Sequence, residues 1–172
     1  STNSGFIVGT TTYHGDASEL TTSSTEKTFN LGSKSIDFSG SSQYITTSSI
    51  NLDTSDYTMC FWFMADVNSV DQGMINMLSN GSNRLISFGW FYNNIYFRLT
   101  SHYQGSTYIP TGQWTHVCGT RDYISSQSVL NLFINSSKDA NFPVTQNNPS
   151  GVMGNLNIGR WPYGGYDFNG KM

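Results

Sequence analysis

The chain has 172 residues, enough for one domain of ordinary size with a sizeable core. Charged residues are only 11% of it, aromatics reach 15%, and the formal net charge is −3. No cluster of cations is present to displace counterions from a phosphate backbone, and no apolar run approaches a membrane span, so nucleic acid and membrane insertion are set aside.

Aromatic and β-branched residues fit a pleated surface, while the abundant Ser, Asn and Gly fit turns. Helical periodicity of useful length is absent, and the apolar runs are short and punctuated, as an all-β sandwich requires. Residues 1–33 hold the polar runs Thr10-Thr11-Thr12 and Thr21-Thr22-Ser23-Ser24-Thr25, anchored only by Phe6, Ile7, Val8 and Leu20. They read as an extended arm or an extra edge strand. The chain opens on Ser1 without a signal-like segment, which reads as a processed or excised piece. A first strand over 34–38 places Ile36 and Phe38 on one face, and a second, over 42–46, follows the turn Ser39-Gly40-Ser41-Ser42. Residues 57–64 are apolar on both faces, which marks a central strand in a two-layer structure. Strands over 74–78, 85–90 and 95–99 follow, with Asn80-Gly81 and Asn93-Asn94 as turn residues that tolerate positive φ. Segments 114–120, 129–135 and 156–159 complete the set, and no internal repeat is evident.

The loop from Arg160 through Trp161, Tyr163 and Tyr166 to Asp167 stands out, because its aromatics sit between Gly and Pro and cannot all be sheet core. A planar ring offers an apolar face to the C–H face of a sugar, and Asp or Asn accepts hydroxyl hydrogen bonds. The same residue types make protein hot spots, and a loop folded over the sandwich edge with its rings tucked in is the plainer reading. Trp90 and Tyr92 mark a second aromatic hairpin tip, and Tyr103 and Tyr108 flank a polar stretch that can line the same groove. His14, His102 and His116 are too dispersed for a zinc site, and His116 reads as an imidazole hydrogen-bonded in or beside a sheet. Glycoside hydrolysis needs two carboxylates across one groove. The only glutamates, Glu19 and Glu26, lie in the arm, and the nine aspartates show no paired spacing within a strand. No Gly-x-Ser-x-Gly string supports a nucleophile, so the chain reads as no enzyme. Asn80-Gly81-Ser82 and Asn135-Ser136-Ser137 are acceptor sequons in predicted turns. Cys60 and Cys118 each lie within a predicted strand, and residue type alone leaves them as buried thiols or as a pair.

The ordered strings Tyr-Thr-Met-Cys-Phe-Trp-Phe (57–63), Trp-Thr-His-Val-Cys (114–118), Leu-Asn-Leu-Phe-Ile-Asn (130–135), Leu-Asn-Ile-Gly-Arg (156–160) and Phe-Asn-Gly-Lys (168–171) resemble the laminin-G-like and pentraxin-like domains of the concanavalin A-like lectin/glucanase superfamily. The resemblance covers roughly residues 34–172 and implies an antiparallel β-sandwich of the jelly-roll type. It implies a Cys60–Cys118 disulfide, which would close a loop worth roughly 4 kcal/mol in the loop-entropy model and point to an oxidising compartment. Pentraxin-like calcium ligands are not matched. Ser82-Asn83 stands where an Asp-Asn pair is expected, and Arg160-Trp161-Pro162-Tyr163 stands in place of an acidic cluster. Asp53, Asp56, Asp66, Asp71 and Asp167 remain as material for a different calcium site, and no cofactor is otherwise expected. In the family the last string leads into a closing strand, which here would begin only where the chain stops.

The expected function is glycan or ligand recognition by a secreted, cell-surface or virion protein, with carbohydrate or glycoprotein as partner. The candidate ligand-binding residues are Trp161, Tyr163, Tyr166, Asp167, Arg160, Trp90, Tyr92 and Asn83. The alternative is a structural assembly or adhesion subunit, such as a viral or filament decoration protein, that reaches neighbouring subunits through its arm. A glycoside hydrolase survives only if its carboxylates come from separate strands.

Overall fold

The computed structural model describes residues 35–41, 43–50, 52, 54–68, 71–78, 84–149, 154–161 and 166–172, together with the backbone of three short strands before them. Those three are β1 (Phe6–Ile7), β2 (Thr12–His14) and β3 (Lys27–Thr28). Then come β4 (Asp37–Ser39), β5 (Tyr44–Ile50), β6 (Tyr57–Ala65), β7 (Gln72–Leu78), β8 (Arg84–Phe91) and β9 (Asn94–Arg98). The chain continues through β10 (Thr115–Ile124), β11 (Gln127–Ile134), β12 (Ser137–Lys138), β13 (Val144–Asn147), β14 (Gly154–Ile158) and β15 (Asn169–Lys171).

Two antiparallel sheets face each other. One runs β12-β11-β10-β6-β15-β4, with β13 sharing the edge of β11; the other runs β2-β5-β14-β7-β8-β9. Alternation decides which residues meet between them. In β6 the inward positions carry Phe61, Phe63 and Ala65, and in β8 they carry Ile86, Phe88 and Trp90. Phe61 meets Phe88 edge-on with ring centroids 5.4 Å apart, Phe63 meets Trp90 at 5.6 Å, and Phe88 stacks on Phe97 at 4.3 Å. Burying each such side chain contributes roughly 1.5–3 kcal/mol, so this aromatic seam is the main cohesive contact of the sandwich.

One buried cation is built into the seam's end. Arg121 is fully buried in β10 and donates to Ser128 Oγ at 2.8 Å, to the Leu52 carbonyl at 2.7 Å and to Asn148 Oδ1 at 3.1 Å. Its guanidinium also lies near the rings of Tyr57 and Tyr123. Burial pushes the Tyr57 hydroxyl well up from its ordinary value, partly offset by the Arg121 charge.

β6 is a central strand, between β10 and β15, and Trp62 is 56% exposed, so its even-numbered positions form the outer face. Two expectations are revised, for Trp90 and for the β8–β9 turn. Trp90 is not at a hairpin tip but fully buried on the inner face, with its indole N–H donating to the Val67 carbonyl at 3.2 Å. β15 lies between β4 and β6, its Gly170 paired with Phe38 on one side and Ala65 on the other. The hairpin turn between β8 and β9 is Tyr92-Asn93, at φ 45° and 65°, one residue earlier than the expected Asn-Asn pair. Thr12–His14 pairs with Thr46, Ile45 and Tyr44 of the chain's own β5. Cys60 and Cys118 are directly opposed across the β6–β10 ladder and are joined as a disulfide on its outer side.

Candidate functional site

Of the residues expected around 160–167, Arg160, Trp161, Tyr166 and Asp167 are described, and they border the outer face of the six-stranded sheet. In β8 the residues alternating with Ile86, Phe88 and Trp90 are Ser87 and Gly89, and in β9 Tyr96 and Arg98 alternate with Ile95 and Phe97. The small residues make a flat floor. A Cβ at Gly89 would collide with the Tyr96 ring, and one at Gly73 with the Trp161 backbone, so both close approaches require glycine. On that floor Ser87 Oγ donates to Asn76 Oδ1 at 2.7 Å, and Asn76 Nδ2 donates to the Arg160 carbonyl at 3.1 Å. The loop is thus tied down at its start. Its far end is tied as well, since the Gly73 N–H donates to the Tyr166 carbonyl at 2.8 Å.

Trp161 is therefore not an exposed ring. It is 7% accessible, lying over β7 and against Tyr96, so of the two readings of this loop the tucked-in one holds for Trp161. The Arg98 guanidinium lies 4.7 Å from the ring centroids of both Tyr96 and Trp161. Such cation–π contacts strengthen when desolvated, and Arg98 is 9% exposed. His102 lies beside Tyr96 at 4.8 Å and beside Phe91 at 6.1 Å, and Phe91 contacts Tyr92 at 4.7 Å. At the other end Arg160 stacks over Tyr44 at 4.4 Å and pairs with Asp167 at 3.6 Å. The result is a continuous row from Tyr92 to Tyr44, buried at its centre, with Tyr92 and Tyr166 exposed at its margins.

A second support carries Tyr103 and Tyr108. The buried Asp139 carboxylate accepts the N–H and hydroxyl of Ser106, the N–H and hydroxyl of Thr107 and the N–H of Asn141. Burial by itself raises the Asp139 pKa, but these donors outweigh it and hold the carboxyl below its ordinary 3.8. Asn93 Nδ2 donates to the Ile109 carbonyl, which joins this segment to the Tyr92 turn. Tyr92, Tyr103 and Tyr108 are all exposed along that rim.

A laminin-G-type family model, described as the concanavalin A-like lectin/glucanases superfamily, matches residues 39–172, well over half of the chain. The chain belongs to this superfamily. No curated protein sequence matches it. Among solved structures, domain 4 of AbnA, an extracellular arabinanase from Geobacillus stearothermophilus in complex with arabinotriose, is similar with TM-score 0.60 and 18% identity, covering 95% of this chain and 79% of that one. The heptameric SAP-like pentraxin from Limulus polyphemus is similar at TM-score 0.56 and 15% identity, over 80% of this chain and 71% of that one. The CBM40 of Ruminococcus gnavus IT-sialidase, bound to alpha2,3 sialyllactose, is similar at TM-score 0.51 and 13% identity, over 80% and 85%. At these identities the likenesses establish the fold.

Arg160 follows Gly159, and its guanidinium pairs with Asp167. Asp56 accepts the Tyr123 N–H and Asp66 lies near Lys171, so these carboxylates are engaged far apart in sequence from Asp167. Among the described residues no three His, Cys, Asp or Glu side chains gather as a metal site, and no helix is long and apolar enough to cross a membrane. Asn83, Tyr163, Asp53 and the Asn80 sequon lie outside the described residues. Asn135 is exposed in the β11–β12 turn, where its Oδ1 accepts the His116 N–H. The cluster members that the motif reading passed over are Tyr44, Asn76, Ser87, Tyr96 and Arg98. For Ser87, Tyr96 and Arg98 the signal was their alternation with Ile86, Phe88, Trp90, Ile95 and Phe97, while Tyr44 and Asn76 lie on other strands.

Proposed function

We propose that this chain is a non-catalytic carbohydrate-recognition module of a secreted, cell-surface or virion protein, and that it takes saccharide on the outer face of the six-stranded sheet. The observation that carries the reading is the preformed row itself: Arg98 held between Tyr96 and Trp161, and Arg160 held between Tyr44 and Asp167, with the rings of Tyr92 and Tyr166 left open at the margins. Recognition sites combine aromatic surface with a few fixed polar groups, and here those groups are oriented before any ligand arrives. The buried rings keep the arginines in place, while the exposed tyrosines supply the stacking faces. Neighbouring folds solved with arabinotriose and with alpha2,3 sialyllactose support a saccharide ligand. The Cys60–Cys118 disulfide supports an oxidising, extracellular address. The Asp167 carboxylate is engaged by Arg160, which suits a hydrogen-bond acceptor better than a glycosidic nucleophile.

The test is binding of the purified protein to a broad glycan array, with calcium and with chelator in parallel. Selective binding is expected, and Tyr166→Ala together with Tyr92→Ala should weaken it at least tenfold without lowering the melting temperature. Silence of the folded protein on the array in both conditions overturns the reading and favours an assembly subunit.

A further inference from the structure

The Cys60–Cys118 staple presents its two sulfurs unequally. Both residues face outward from the seven-stranded sheet, Cys60 exposed in β6 and Cys118 half-buried in β10. Residues two positions along each strand share their face. Trp62 and His116, whose rings lie 5.1 Å apart, therefore stand on one side of the pair, and Thr58 and Thr120 on the other. These neighbours lie along the strands. Across the strands the two sides differ. Beyond Cys118 comes β11, where Phe133 is its register partner and is itself half-buried. Beyond Cys60, β15 reaches β6 only at Met64 and Ala65, and among the described residues no strand pairs with Cys60 on that side.

A thiolate displaces sulfur from sulfur along the axis of the bond that breaks, and which sulfur it takes depends on access. The S–S bond runs across the strands from β6 to β10. The approach to Cys118 crosses Phe133, whereas the approach to Cys60 crosses an open margin. We propose that Cys60–Cys118 is a thiol-exchange site for a low-molecular-weight thiol, with Cys60 the sulfur that is attacked. A bond forms between the entering sulfur and Cys60, and the Cys60–Cys118 bond breaks. Its electron pair leaves on Cys118 as a thiolate, which takes up the proton that the entering thiol lost. No oxidant or reductant is consumed beyond that thiol: the products are a mixed disulfide on Cys60 and a free thiol at Cys118. The fold survives the step. The β6–β10 ladder continues past the cysteines, from the Thr115–Phe63 pair to the Arg121–Tyr57 pair, and a disulfide acts mainly by constraining the unfolded chain.

The test treats the native protein at neutral pH with reduced glutathione, stops the reaction with excess N-ethylmaleimide and maps the peptides by mass spectrometry. Glutathione on Cys60 with maleimide on Cys118 is expected to exceed the reverse arrangement at least tenfold. The exchange rate should be unchanged by urea below the unfolding transition. Phe133→Ala, which uncovers Cys118, should bring the two arrangements to within about threefold of each other, and the milder Phe133→Leu should fall between. Equal or reversed adducts in the wild type overturn the proposal, as does selectivity unchanged in the folded Phe133 variants. So does a rate that climbs with urea in step with the unfolded fraction, or a pair that stays closed until the protein unfolds.

Discussion

Asp139 shows how one side chain sets a rim. Its carboxylate gathers donors from Ser106, Thr107 and Asn141 and thereby fixes the segment that carries Tyr103 and Tyr108. Asp139→Asn is expected to cost roughly 2–4 kcal/mol, since hydrogen bonds to a charged group are lost from a buried site. The sign of its pH dependence follows from a lowered folded pKa. Such a carboxyl stabilises fully above its unfolded pKa, and the contribution is lost as pH falls through the folded value. Thermal unfolding of wild type and Asp139→Asn should show a gap that is wide at neutral pH and narrows below about pH 4. Trp161 gives the second residue-scale prediction. Because it is buried against Tyr96 and Arg98, Trp161→Ala should lower stability by about 3 kcal/mol, beyond any loss of sugar binding. An unchanged melting temperature would return it to the solvent side of its loop.

At the scale of elements, β10 carries two faces with different tasks. Its inward positions include Val117 and the buried Arg121, which ties β10 to β11 and to the segments at 52 and 148. Arg121→Met should destabilise by about 3 kcal/mol, because Ser128, the Leu52 carbonyl and Asn148 lose a donor in a buried setting. Arg121→Lys should not rescue it, since one ammonium cannot span three divergent acceptors; chemical denaturation of both variants measures this. The outward positions of the same strand hold His116 and Cys118. The strings around β6, β10, β11 and β14 were legible as strands because alternation and β-branched content survive in any context. The short strands β12, β13 and β15 were not, because two to four polar residues carry no period and their pairing depends on partners far along the chain.

Taken as a whole molecule, the seven-stranded sheet is stapled on its outer side by Cys60–Cys118, which joins the neighbouring strands β6 and β10 and links residues 58 positions apart. Thiol titration of the denatured, unreduced protein should find essentially none, and reduction should lower stability by roughly 4 kcal/mol in the loop-entropy model. Composition, punctuation and the order of five short strings were enough to determine an all-β jelly roll, its superfamily and the cysteine pair implied by it. They also drew attention to Arg160, Trp161 and Asp167, which do meet. Only the tertiary structure decided which face each aromatic serves. Trp90 and Trp62 both sit in strongly apolar strands, and a single residue of register puts one between the sheets and the other in water. The Trp161 backbone packs on Gly73 and the Tyr96 ring on Gly89, glycines that look like ordinary strand residues until those contacts are made. Which strand lies under which loop is a long-range fact, set by contacts such as Asn76–Arg160, 84 residues apart, and no local pattern contains it.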